Sequence, residues 1–296
     1  MKKGFVLVLI ALFVMGTMYG CSSTQTEEKA AEEKAEVTRT LAPTEQVSET
    51  DDAGDSEKPE PGESGGNFTD EMKIEQKSDI SVIDGADSVE REGDHQGSLY
   101  FSNLDFYNME SNDTLTMLSN YKTIQQSSEW SCGVAAIMTV LEHYDMLGDY
   151  TEQMLSELRP QGDEPGATSL PDAIEIFNKV GGFELITTRD FKDDEVYDYF
   201  TLDKVQEFLS EDTPVLICWN DWGGHWQAII GYDTMGTETQ QDDVIIVADP
   251  YDTTDHNQDG YGVYGAERFF YNFTMYDFFT EEEGNDMLFI AAKPAA

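Results

Sequence analysis

The apolar positions of this chain change period from one segment to the next, and the changes mark its elements. Between 132 and 145, Val134, Ile137, Met138, Leu141 and Tyr144 recur at helical spacing, which predicts a core helix. Thr151 is placed to cap a short helix reaching about Leu158, with Pro160 beyond its end. A third helix is expected over 170–180, with Pro171 in its first turn and Gly181–Gly182 after it. "FELITT" at 183–188 reads as a strand, and Thr201 as the cap of a helix to about Leu209. Three apolar runs, 214–219, 225–232 and 244–248, then read as strands, and a last strand lies near "MLFIA" in the aromatic tail 261–292. Helices early and strands late predict an α+β fold rather than an alternating parallel sheet.

The first hundred residues follow a different pattern. Lys2 and Lys3 precede an apolar run, "FVLVLIALFVM" at 5–15, which has the proportions of a secretory signal and is short for a spanning helix. Cys21 follows directly after "MYG", an arrangement that resembles a bacterial lipoprotein signal. That resemblance implies a signal peptide at 1–20, lipidation of Cys21, and a protein anchored at the extracellular face of the cell membrane. An ordinary signal cleaved nearby would leave it secreted. Residues 21–97 sustain no apolar period and are rich in Glu, Asp, Ser, Thr and Gly, so a disordered acidic stalk is expected there. Composition changes near Leu99, and 98–296 is expected to form a single domain.

Charge narrows the partners. The net charge is −43. Roughly −30 of it falls on 98–296, so the acidity belongs to the folded part as well as the stalk. Nucleic acid is not an expected partner, because binding it needs clustered Lys and Arg. Such a surface favours cationic substrates, bound cations or a high-salt habitat.

The candidate chemistry centres on one cysteine. Of Cys21, Cys132 and Cys218, the last lies in the strand-like "PVLICWN" and reads as a buried core residue. Cys132 stands at the expected amino end of the first helix, where free N–H groups and the macrodipole favour a thiolate. Taken alone it also reads as a small hydrophobe at a helix start. Gln126, six residues upstream, can aim a side-chain N–H at an oxyanion beside the Cys132 backbone N–H, with Gln125 as a competing position. His225 opens the strand "HWQAIIGYD" after Gly223–Gly224, and among the four histidines it alone starts a strand. Asp249 ends the strand "VIIVADP", 24 residues later. Antiparallel pairing of those two strands would return it beside His225, where a carboxylate can orient the imidazole.

Together, Gln126, Cys132–Gly133, "GGHWQAIIGYD" and "ADP" resemble cysteine peptidase family 39 and its stand-alone relatives. These are papain-like domains whose best-known members remove double-glycine leader peptides from bacteriocins. The resemblance covers about 120–255. It implies a papain-like α+β fold, with the nucleophile at a helix amino terminus and an antiparallel sheet after it. It also implies Gln126 as oxyanion donor, Cys132 as nucleophile, His225 as base and Asp249 as orienter. The leader peptidases are normally fused to a transporter and work on the cytoplasmic side, whereas an export signal is expected here. The double-glycine substrate is therefore not carried over.

Three functions follow as expectations. The first is a membrane-anchored extracellular cysteine hydrolase that cleaves a peptide or protein at an amide bond. The others are a cell-wall amidase and a catalytically idle binding module on the same fold. No cofactor is needed for any of them. In "DHNQDGY", Asp255, Asn257, Asp259 and Gly260 match the opening of a calcium loop, but Ala266 holds the twelfth position where a bidentate Glu is expected. With the closing ligand missing, the segment reads first as an acidic turn.

Overall fold

The computed structural model describes residues 70–77, 79–80, 82–88, 104–162, 164–192, 194–254, 258–275 and 278–295. The expected lipidation site Cys21 and the expected calcium-loop residues Asp255 and Asn257 lie outside these.

The elements form in the expected order. A first strand, β1 (Leu115–Met117), precedes the helices α1 (Cys132–His143), α2 (Glu152–Ser156) and α3 (Leu170–Val180). Strand β2 (Phe183–Thr187) leads to α4 (Glu195–Tyr199) and α5 (Leu202–Ser210). The strands β3 (Val215–Trp219), β4 (His225–Asp233), β5 (Val244–Ala248) and β6 (Tyr261–Gly265) follow. Helix α6 (Ala266–Tyr271) and β7 (Leu288–Pro294) close the chain.

The caps act through the residues that the pattern singles out. Thr151 Oγ1 accepts from the Met154 N–H at 3.1 Å, and Thr201 Oγ1 from the Lys204 N–H at 3.2 Å. Ser169 and Asp172 form a reciprocal capping box at the start of α3, next to Pro171.

One antiparallel sheet organises the rest, in the order β2–β7–β3–β4–β5–β6. β4 lies at its centre. β5 takes one edge of β4, while the other edge is shared between β3 on its first half and β1 on its last residues. Helix α1 packs on β4 and also meets α2 and α3. Its residues from Cys132 through Leu141 are all buried, as a core helix requires. Gly133, Ala135 and Ala136 keep the second side narrow enough for neighbours to approach. Early helices packed on a later antiparallel sheet are the expected α+β papain-like arrangement.

A correction concerns the stalk. Residues described between 70 and 88 fall within the expected 21–97 spacer, yet Met72, Ile74, Ile80 and Ala86 are buried. Lys73 bridges Thr123, the Ile74 N–H donates to Thr123 C=O, and the Thr123 N–H donates to Met72 C=O. The folded domain thus includes chain upstream of residue 98. Four widely spaced apolar side chains among many charges carry no period, which is why composition assigned them to the spacer.

Candidate active site

Three elements deliver the expected residues to one place. β4 and β5 pair antiparallel, with Ala228 opposite Ala248, so the start of β4 and the end of β5 adjoin. His225 Nε2 and Asp249 Oδ1 are 2.6 Å apart, and both residues are buried. Cys132 lies close enough to the same imidazole to add to the rise in its pKa. Because Asp249 occupies Nε2, Nδ1 is the nitrogen left to face the sulfur.

The electrostatics follow from this contact. Burial disfavours the His225 imidazolium, but the Asp249 charge, its hydrogen bond and the contact with Cys132 outweigh burial and raise the His225 pKa to about 10. Burial likewise opposes the Asp249 carboxylate, and His225, the Tyr251 N–H and Gln227 together hold its pKa below the ordinary carboxylate value. Cys132 and Cys218 both carry free thiols, and burial pushes Cys218 well above its ordinary value.

Asp249 is held on every side. Its Oδ1 also accepts from the Tyr251 N–H at 2.8 Å, and its Oδ2 accepts from Gln227 Nε2 at 2.8 Å. Gln227 Oε1 in turn accepts from Trp219 Nε1 at 2.8 Å. Sequence reasoning missed Gln227, although it stands two residues beyond His225 and so points to the same face of β4. A polar side chain inside the apolar run "HWQAIIGYD" was the available signal, since a buried amide needs partners.

The loop before Cys132 is joined to this centre by its backbone. The Gln126 N–H donates to Pro250 C=O at 2.9 Å, tying the residue six before the cysteine to the residue after Asp249. Gln126 is fully buried, and its Nε2 donates to Ser128 C=O at 2.7 Å, along the loop leading to Cys132. Its Oε1 has no partner among the described residues, and neither does the side-chain amide of Gln125. In α1 the Ala135 N–H donates to Ser131 C=O, so the Cys132 N–H lies ahead of the helical ladder. Gly133 has no room for a side chain: a Cβ there would lie 2.7 Å from Thr168 Cβ and 3.0 Å from the Trp226 ring.

The remaining candidates lie elsewhere. His143 sits at the end of α1, with Nε2 3.1 Å from Asp212 Oδ1. Asp259 is buried and Oδ1 accepts from the Tyr261 N–H at 3.0 Å, a turn contact. Among the described residues no group of three or more His, Cys, Asp or Glu is placed to hold a metal ion.

A thiol at a helix start, with an imidazole and a carboxylate hydrogen-bonded at the adjoining ends of two strands, has the composition of a papain-like cysteine peptidase site. The chain belongs to the Peptidase C39 like family, whose model matches residues 118–275, and is a cysteine peptidase-like hydrolase. The solved structures similar to it include two peptidase domains. One is the peptidase domain of Streptococcus ComA, a bi-functional ABC transporter involved in a quorum sensing pathway. It is 20% identical, covers 59% of this chain and 99% of its own, and has a TM-score of 0.37. The other is a double glycine motif protease from an AMS/PCAT transporter in complex with the leader peptide. It is 14% identical, covers 59% of this chain and 91% of its own, and has a TM-score of 0.35. No curated protein matches the chain.

Proposed function

We propose that the protein hydrolyses peptide bonds through an acyl-enzyme on Cys132, outside the cell and tethered to its membrane at Cys21. The observation that carries this reading is the buried His225 ring, hydrogen-bonded to Asp249 and close enough to Cys132 for the thiol to raise its pKa. Cys132 attacks the scissile carbonyl as a thiolate paired with the His225 imidazolium. The developing oxyanion is met by the Cys132 backbone N–H and by the second N–H of Gln126 Nε2, the first being held by Ser128 C=O. His225 then gives its proton to the leaving amine, and later takes one from the water that releases the acyl group. Asp249 keeps the ring in the orientation that serves both steps.

The test is cleavage of a peptide library by the full-length protein, with purified peptidoglycan assayed alongside. Cleavage of peptides that disappears in Cys132→Ala supports the reading. Activity on peptidoglycan alone would replace it with a cell-wall amidase, and undiminished cleavage by Cys132→Ala would refute the mechanism. Membrane fractionation of Cys21→Ala tests the tether, whose loss should release the protein into the medium.

A further inference from the structure

The loop from Gln126 to Glu129 is gripped from two sides by groups outside the triad, and one of the two, the chain at 84–85, also lies outside the family-matched residues 118–275. On one side lies Glu152 at the start of α2. Its carboxylate accepts from the Ser127 N–H at 3.2 Å and from Ser127 Oγ at 2.6 Å. On the other side lies the upstream chain. The N–H groups of Asp84 and Gly85 both donate to Ser127 C=O at 3.1 Å. Asp84 Oδ1 accepts from Ser128 Oγ at 2.8 Å and from the Glu129 N–H at 3.0 Å. Every polar group of Ser127 is thereby committed, and the three residues after Gln126 are each tied to Asp84 or Gly85.

Gly85 makes the approach possible. Its φ is not in the left-handed region, so glycine is needed here for space alone. A Cβ on it would lie 2.5 Å from Gln126 O, 2.6 Å from Ser128 N and 2.8 Å from Ser127 C. All three are backbone atoms, which cannot swing aside as a side chain can. The buried residues Ile80 and Ala86 hold the segment on either side of this contact.

We propose that Asp84 and Gly85 are positioning residues of the oxyanion side of the site: they fix the loop that carries Gln126 relative to Cys132. The inference rests on the peptidase reading above. It assigns part of the catalytic geometry to chain that composition alone would place in a spacer. A displacement near 1 Å at such a loop costs a rate factor on the order of 10² when the transition state depends on it.

Two probes separate the oxyanion side from the thiol. Acylation of Cys132 by p-nitrophenyl acetate passes through a tetrahedral oxyanion and expels p-nitrophenolate. Alkylation by iodoacetamide is a direct displacement of iodide and uses no oxyanion donor. Both rates are measured on full-length protein, with Cys132→Ala as background and thermal unfolding as a check on folding. Gly85→Ala and Asp84→Ala should slow acylation by roughly 10- to 100-fold while alkylation stays within about twofold. Asp84→Asn keeps the Oδ1 acceptor and should acylate within about threefold of wild type. Equal acylation by all variants overturns the inference, and so does a parallel loss of acylation and alkylation, which would mark a role in the fold alone. A wild type that is alkylated at Cys132 but never acylated refutes the peptidase reading itself, and this inference with it.

Discussion

His225 Nε2 and Asp249 Oδ1 meet at 2.6 Å although 24 residues separate them in the chain. The pairing of β4 with β5 makes this contact, and it sets the charge of the site. The His225 pKa rises to about 10, so its stabilising contribution is fully present below the ordinary value of 6.5 and is lost as pH rises through the folded value. The Asp249 pKa is held below 3.8, so its contribution is present above that and is lost as pH falls. Wild type should exceed Asp249→Ala in denaturant midpoint most clearly between those limits. In the same variant the alkaline limb of kcat/KM should fall from near 10 toward 6.5 or below, because burial alone lowers the imidazolium pKa. An unmoved limb would remove His225 from the rate equation.

Gln227 is the second support of Asp249. Gln227→Ala removes a bond to the carboxylate and leaves the Trp219 N–H without its acceptor. A lost charge-assisted bond of about 1.5 kcal/mol corresponds to roughly a tenfold fall in kcat. KM should change little, since Gln227 is buried behind the triad. Steady-state kinetics on one good peptide substrate decides this.

Arg159 organises the wall beside the helix start. Its buried guanidinium donates to the carbonyls of Ser156, Gly162, Glu164 and Gly166, and it lies 4.6 Å from the Trp130 ring centroid. Arg159→Lys cannot reproduce that fork and should cost about 3 kcal/mol in urea unfolding. Because Thr168 abuts Gly133, the loosened loop should also raise KM.

Charge should select among substrates. The net charge is −43, and Glu129 and Asp84 lie close enough to Tyr251, at the His225 end of the site, to add to the effect of burial in raising its pKa. Kinetics with Lys-rich peptides should weaken on raising salt from about 20 to 300 mM, by around tenfold in kcat/KM. Glu-rich peptides of the same length should be poor substrates at low salt and gain from salt. Salt-independent selection would place specificity in close contacts alone.

Much of this site was legible in the sequence because its parts sit at element boundaries. Cys132 opens α1, His225 opens β4 and Asp249 follows β5, and each boundary carried its own signal in period or turn residues. Thr151, Ser169 and Thr201 cap where the chain changes period. What escaped detection had no such signal. β1 spans only three residues, and β6 is the glycine-rich "YGVYG" with Val263 exposed, so neither has enough alternation to read. Asp84 and Gly85 matter through backbone and carboxylate contacts with a loop more than 40 residues away, which no local pattern encodes. Gln227 was hidden by its apolar neighbours.

The most direct test of the central claim is intact-mass spectrometry of full-length protein quenched in acid during turnover of an activated ester. The account predicts a single acyl adduct, mapped to Cys132, absent from Cys132→Ala and slower to form in His225→Ala. An adduct on another residue, or turnover with no adduct and full activity in Cys132→Ala, would contradict it.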